Sequence, residues 1–229
     1  MGAFKQLTTV DGKSIAAYEA SPAGTPVGAI VLVQEIFGIN AHIQSVADRF
    51  AAEGYLVLAP ALFDRIEPGI ILTYEGADRG KAFELYGKLS VDTALLDIAA
   101  AYHELEKAGK GIAVIGFCYG GLMSWLAATR GETQEMQPSC CVGYYAGGIG
   151  NFATEEPACP VMLHFGADDS HIGVDQIDAV RNAHPEVEVF VYAGAGHAFN
   201  RDVDPASYNE AAAKLALERT LEFLRTNVA

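Results

Sequence analysis

Basic residues are scarce in this chain: 15 Lys and Arg stand against 29 Asp and Glu, a formal net charge of −14, and no Lys/Arg cluster is longer than an isolated pair. A nucleic-acid groove or an anionic membrane surface would repel such a molecule. No run approaches the length of a membrane span. Met1 to Thr9 carries one lysine and no apolar stretch of the kind a secretion signal needs, and Gln6 stands where a myristoylation motif requires Ser or Thr. Cysteine is also sparse. Cys118, Cys140, Cys141 and Cys159 are few for 229 residues and show no CxxC or disulfide-scaffold spacing. A reduced, cytoplasmic compartment is expected, where a thiol is free for chemistry. Low-complexity tracts and self-similar periods are absent, which argues against disorder and against solenoids.

What is present is a chain that is 51% hydrophobic with 24 glycines, enough for one sizeable core. Ala29 to Gln34 is a continuous apolar run, the pattern of a strand covered on both faces. Leu7 to Thr9 and Ser14 to Ala20 flank the turn dipeptide Asp11-Gly12 and read as a hairpin. A helix is expected over His42 to Glu53, then a strand over Tyr55 to Ala59, so the default is a parallel crossover unit. Residues 61 to 80 have no sustained period and read as a long loop with one short helical piece. Further helices are expected over Val91 to Lys107, Gly121 to Thr129, Asp175 to Ala183 and Tyr208 to Arg225. The last of these should turn Ala212, Leu215, Ala216, Leu221 and Leu224 inward. Strands are expected over Ile112 to Ile115, Cys140 to Tyr145, Val161 to Phe165 and Val187 to Tyr192. The fold class is α/β: a mostly parallel, twisted sheet of seven to eight strands with helices on both faces. No composition break marks a linker, so a single domain over residues 1–229 is expected.

One segment carries chemistry. Gly116-Phe-Cys118-Tyr-Gly120 lies between an apolar strand and a helix, the form of a nucleophile elbow with cysteine in the place of serine. The flanking glycines suit a turn too tight for side chains, and the helix that follows directs its partial positive end at the thiol. The alternative is a small buried cysteine at a Gly-rich turn. In this architecture an acid and then a histidine should follow along the chain. Asp169 stands just past one expected strand in Gly166-Ala-Asp-Asp-Ser, with Asp168 as its competitor. His197 stands just past another, in Gly194-Ala-Gly-His-Ala-Phe. All three would meet at the carboxyl edge of the sheet.

The remaining histidines (His42, His103, His164, His171, His184) lack HExxH or paired zinc spacing, so no metal is expected. Gly148-Ile-Gly-Asn-Phe-Ala imitates a dinucleotide fingerprint. Pro157 and Pro160 follow too soon for the helix that a pyrophosphate needs.

Taken together, Gln34-Glu-Ile-Phe-Gly-Ile-Asn, Gly116-Phe-Cys-Tyr-Gly-Gly, Val142-Gly-Tyr-Tyr, Gly166-Ala-Asp-Asp and Ala195-Gly-His-Ala-Phe-Asn-Arg make the chain resemble a dienelactone hydrolase, from Val31 to Leu224. The resemblance implies an α/β-hydrolase fold with Cys118 as nucleophile, His197 as base and Asp169 as its orienting carboxylate. It implies that Glu35 meets the resting thiol and takes its proton when substrate arrives, and that Arg79 and Arg201 hold a substrate carboxylate. It places Ile36 beside the N–H of Tyr119 in an oxyanion hole. On the residues alone, the alternatives are a plain salt bridge for Glu35 and a surface arginine for Arg79. Three positions depart from the family pattern: Phe83 replaces a tyrosine, Ala198 a serine, and Tyr119 a leucine. Two of these remove a hydroxyl from the expected pocket, so the natural substrate is expected to differ from dienelactone.

The expectation is a cysteine-dependent hydrolase of small carboxylate-bearing esters or lactones, acting through an acyl-enzyme on Cys118 with no cofactor. The partner is a small-molecule substrate, with neither nucleic acid nor membrane, and the protein acts as a monomer, with a dimer as the alternative. A broad carboxylesterase or thioesterase on the same triad is the nearest alternative reading. A non-catalytic binding protein or thiol sensor is the more distant one.

Overall fold

A computed structural model describes residues 2–228. Strands β1 (Ala3–Thr8) and β2 (Ser14–Ala20) form the expected hairpin, followed by β3 (Gly28–Val33), α1 (Ala41–Ala52), β4 (Tyr55–Pro60), α2 (Gly76–Tyr86) and α3 (Val91–Glu106). Then come β5 (Ile112–Phe117), α4 (Tyr119–Arg130), β6 (Cys140–Tyr144), β7 (Val161–Gly166), α5 (Val174–Ala183), β8 (Glu188–Tyr192) and α6 (Glu210–Asn227). The strands form one eight-stranded sheet in the order β1-β2-β4-β3-β5-β6-β7-β8. β2 pairs antiparallel with β1 and β4, and every pairing from β4 through β8 is parallel.

Every residue of β3, β5, β6 and β7 is buried, which requires cover on both faces of the sheet. Right-handed crossovers supply it. The chain leaves β3 through α1 toward β4 in one direction and returns through α3 to β5 in the other, so these two helices fall on opposite faces. β8 closes the far edge and begins at an exposed Glu188.

Three local expectations need correction. Residues 76–80 are not loop but the first turns of α2, a helix that buries only Ala82 and Leu85 and therefore has no strong apolar period. α6 leaves Leu215 40% exposed and turns Thr220 and Phe223 inward, because the residues that meet the sheet lie one step around the helix from the stripe expected. Gly148 is followed by a helical piece after all, a single 3₁₀ turn over Ile149–Phe152, too short to hold a pyrophosphate.

Candidate active site

The elbow follows from the end of β5. Cys118 takes φ 55° and ψ −116° and caps the N-terminus of α4; that left-handed backbone costs a non-glycine residue about 1–2 kcal/mol. Its N–H donates to the carbonyl of Tyr144 at 3.0 Å, tying the turn to β6. A Cβ on Gly116 would strike the Gly120 carbonyl, and one on Gly120 would strike that of Val33. Glycine is needed at both flanks by collision rather than by flexibility.

Parallel register brings β7 and β8 to the same edge, with Gly166 beside Tyr192. The loops that follow carry Asp169 and His197. His197 Nδ1 donates to Asp169 Oδ2 at 2.8 Å, and its Nε2 lies 3.3 Å from Cys118 Sγ. The Asp169 carboxylate is wholly buried, and its other oxygen accepts the His171 N–H at 2.8 Å. Asp168 is exposed and ties its loop to Ala195 through its backbone N–H. The carboxylate that meets the histidine is therefore Asp169. Burial disfavours a charged His197, but the bonds to Asp169 and Cys118 outweigh it and push its pKa up to about 10. The imidazole is accordingly protonated at neutral pH.

Glu35 follows β3 into the same edge and is fully buried. Arg201 Nη2 donates to its Oε1 at 2.9 Å, and the Tyr74 hydroxyl donates to its Oε2 at 2.9 Å. Burial alone would raise this carboxyl. The Arg201 charge, His42 and the two hydrogen bonds more than offset it and hold Glu35 below the usual carboxylate range. The resemblance put Glu35 at the resting thiol, but here the thiol is engaged by His197 and Glu35 by Arg201. A guanidinium buried at that depth favours an anion beside it, and Glu35 is the closer and more deeply buried of the two carboxylates that Arg201 meets.

Arg201 is shared between two carboxylates. Its Nη1 reaches Asp204 at 3.3 Å and its Cζ lies 3.9 Å from the centre of the Tyr74 ring. Its Nε is buried without a partner among the described residues. Arg79 is different: it stands exposed on α2, at the wall of the cavity, with no ion pair among the described residues.

The cavity over Cys118 holds about 570 Å3 and is bordered by Ile36, Tyr119, Arg79, Phe83, Ala198 and Arg201, all of them expected at the site. Neither the Ile36 nor the Tyr119 N–H is bonded to another described residue, and the second stands at the first position of α4, where helix N–H groups point outward. Ala198 sits at φ 61°, and Phe83 is 54% exposed.

Three site residues are new to the structure. Tyr74 joins Glu35 to Arg201, and nothing in the irregular sequence around it singles it out. Tyr145, whose buried hydroxyl has no partner among the described residues, sets its ring centre 5.1 Å from that of His197. His171 stands edge-on to His197 at 5.0 Å; its place two residues after Asp169 was the available signal.

A cysteine elbow after β5, with an acid after β7 and a histidine after β8 on a mostly parallel sheet, defines the α/β-hydrolase class. Within it, the chain belongs to the dienelactone hydrolase family, whose family model matches residues 15–228. It is thus a hydrolase of the carboxylic ester class. A carboxymethylenebutenolidase of Pseudomonas putida is 30% identical over 228 residues, covering 95% of this chain and 94% of its own. A structure assigned as a dienelactone hydrolase of Klebsiella pneumoniae superposes with a TM-score of 0.79 at 28% identity, over 97% of this chain and 98% of its own. A dienelactone hydrolase-like promiscuous phosphotriesterase from metagenomic libraries, at 19% identity and a TM-score of 0.77 over 100% of this chain and 99% of its own, shares the fold. Among the described residues no helix is long and apolar enough to cross a membrane.

Proposed function

We propose that the protein hydrolyses carboxylate-bearing esters or lactones through an acyl-enzyme on Cys118. The observation that carries this reading is the line from Cys118 Sγ to His197 Nε2 at 3.3 Å and from His197 Nδ1 to Asp169 at 2.8 Å. The deprotonated sulfur attacks the carbonyl carbon, and the oxyanion accepts the N–H groups of Tyr119 and Ile36. As the C–O bond breaks, His197 Nε2 gives its proton to the leaving oxygen. The now neutral imidazole takes a proton from water, which attacks the thioester. Expulsion of sulfur restores the thiolate beside an imidazolium and releases the acid.

Asp169 fixes the ring and stabilises its positive charge. Glu35 and Tyr74 hold Arg201 in the wall. Arg79, without a carboxylate of its own, is the cation that takes the substrate's anionic group.

The test is a panel of dienelactone, neutral aryl esters, anionic aryl esters and thioesters, run on the native protein and on Cys118→Ala. The native protein should favour anionic esters, a preference that declines with added salt and in Arg79→Ala. Cys118→Ala should fold and turn over none of the panel; hydrolysis by that variant would remove the nucleophile. Stoichiometric labelling of Cys118 with no ester turned over by the native protein would point instead to a binding or sensing role.

A further inference from the structure

Arg79, Phe83 and Tyr86 fall at positions i, i+4 and i+7 of α2, and all three border the cavity. The residues that fasten this helix to the core are Ala82, at the edge of that stripe, and Leu85, about 60° further around the helix. α2 therefore presents a stripe to the cavity, with a guanidinium toward its N-terminal end and two aromatic rings beyond it. Those rings are 54% and 41% exposed. Leu89 and Val91, which follow α2 along the chain, add to its apolar lining. Contiguous exposed apolar surface inside a cleft marks a ligand surface rather than a core.

α2 follows β4 and His197 follows β8, which lie on opposite sides of β5 in the strand order, so this helix and the histidine approach the nucleophile from opposite sides. The leaving oxygen must depart where His197 Nε2 can protonate it, beside His171, Ala198 and Arg201. The acyl group stays on Sγ and extends the other way. In that direction stands Tyr119, the residue after Cys118, whose ring packs edge-on against Tyr86 at 5.4 Å. A cavity of about 570 Å3 is within the range that encloses ligands of drug-like size, far larger than a single lactone ring.

We infer that α2 and the wall it continues form an acyl-binding arm, and that among esters of like charge the preferred substrates are those whose acyl group carries a long or aryl-bearing apolar body. This rests on the acyl-enzyme reading above. The side chains that determine specificity are Phe83 and Tyr86.

The experiment compares kcat/KM for 4-nitrophenyl esters of constant leaving group, from acetyl through butanoyl to 4-phenylbutanoyl, with a second series of acetate esters of ethyl, benzyl and 4-phenylbutyl alcohol. The acyl series should rise about tenfold or more from acetyl to 4-phenylbutanoyl, and the alcohol series should stay nearly level. In Phe83→Ala and Tyr86→Ala, both at exposed positions that do not threaten folding, the ratio of 4-phenylbutanoyl to acetyl should fall several-fold, mainly through KM. A level acyl series, a rise confined to the alcohol series, or an unchanged ratio in both variants overturns the arm while leaving hydrolysis by Cys118 intact. Turnover that survives in Cys118→Ala strikes the underlying reading instead.

Discussion

Asp169 and Asp168 are adjacent acids in one loop, yet only the first is buried and bonded to His197, at 2.8 Å. Asp169→Asn should therefore lower kcat by orders of magnitude, since an amide can present the wrong tautomer to the ring, whereas Asp168→Asn should stay within a factor of about two. Steady-state rates on one ester decide this, and a larger loss in the Asp168 variant would reverse the assignment. Cys118, Asp169 and His197 could be read from sequence because each follows an apolar strand in a Gly-rich turn, so a local pattern carries the position. The partner of Glu35 could not. Arg201 is 166 residues away, and a carboxylate after a buried strand looks the same whether it faces a thiol or a guanidinium.

Helices were legible in proportion to what they bury. α1 and α3 show an apolar stripe and were found within one or two residues of their ends, whereas α2, with two glycines and only two buried side chains, has almost none. One of its faces borders the cavity, and a helix with a cavity on one side and water on the other loses the period that reveals it. α6 displays a second kind of dependence. Asn209 caps it by accepting from the Ala212 N–H at 3.1 Å, while its own amide donates to the Gly194 carbonyl at 2.9 Å. One side chain thus joins the helix start to the loop that carries His197. Asn209→Ala should cost about 1 kcal/mol of stability, read as a lowered denaturant midpoint at unchanged slope.

Across the whole molecule, two histidines, His164 in the core and the partly exposed His197 at the site, make stability depend on pH in opposite senses. Burial among Tyr192, Thr220 and Phe190 pushes His164 down to about 3. The unfolded chain takes up that proton near pH 6.5 and the folded one does not, so this contribution is complete above 6.5 and is lost as pH falls toward 3. His197, raised to about 10, contributes below 6.5 and loses that contribution as pH rises through 10. Each has a limiting slope of about 1.4 kcal/mol per pH unit. Thermal unfolding across pH 4–10 should show a shallower acid limb in His164→Gln and a shallower alkaline limb in His197→Gln; unchanged limbs would remove the two histidines as the cause.

The strand order described above also fixes when the site can come into being. Cys118 and His197 are 79 residues apart and meet only after β6, β7 and β8 have been added in turn to β5. Such distant pairings close late, because the loops between them lose entropy before any contact compensates. The single tryptophan, Trp125, is buried in α4, bonded to the Phe152 carbonyl at 3.1 Å and 5.5 Å from the His184 ring at the end of α5, so its fluorescence reports the docking of the chain through α5, one element short of β8. On dilution from denaturant with ester present, turnover should lag the tryptophan signal, and activity that leads it would exclude a late-closing edge. Catalysis then serves as a clock for the last step of assembly, and a chain released before β8 has docked would have most of a core and no enzyme.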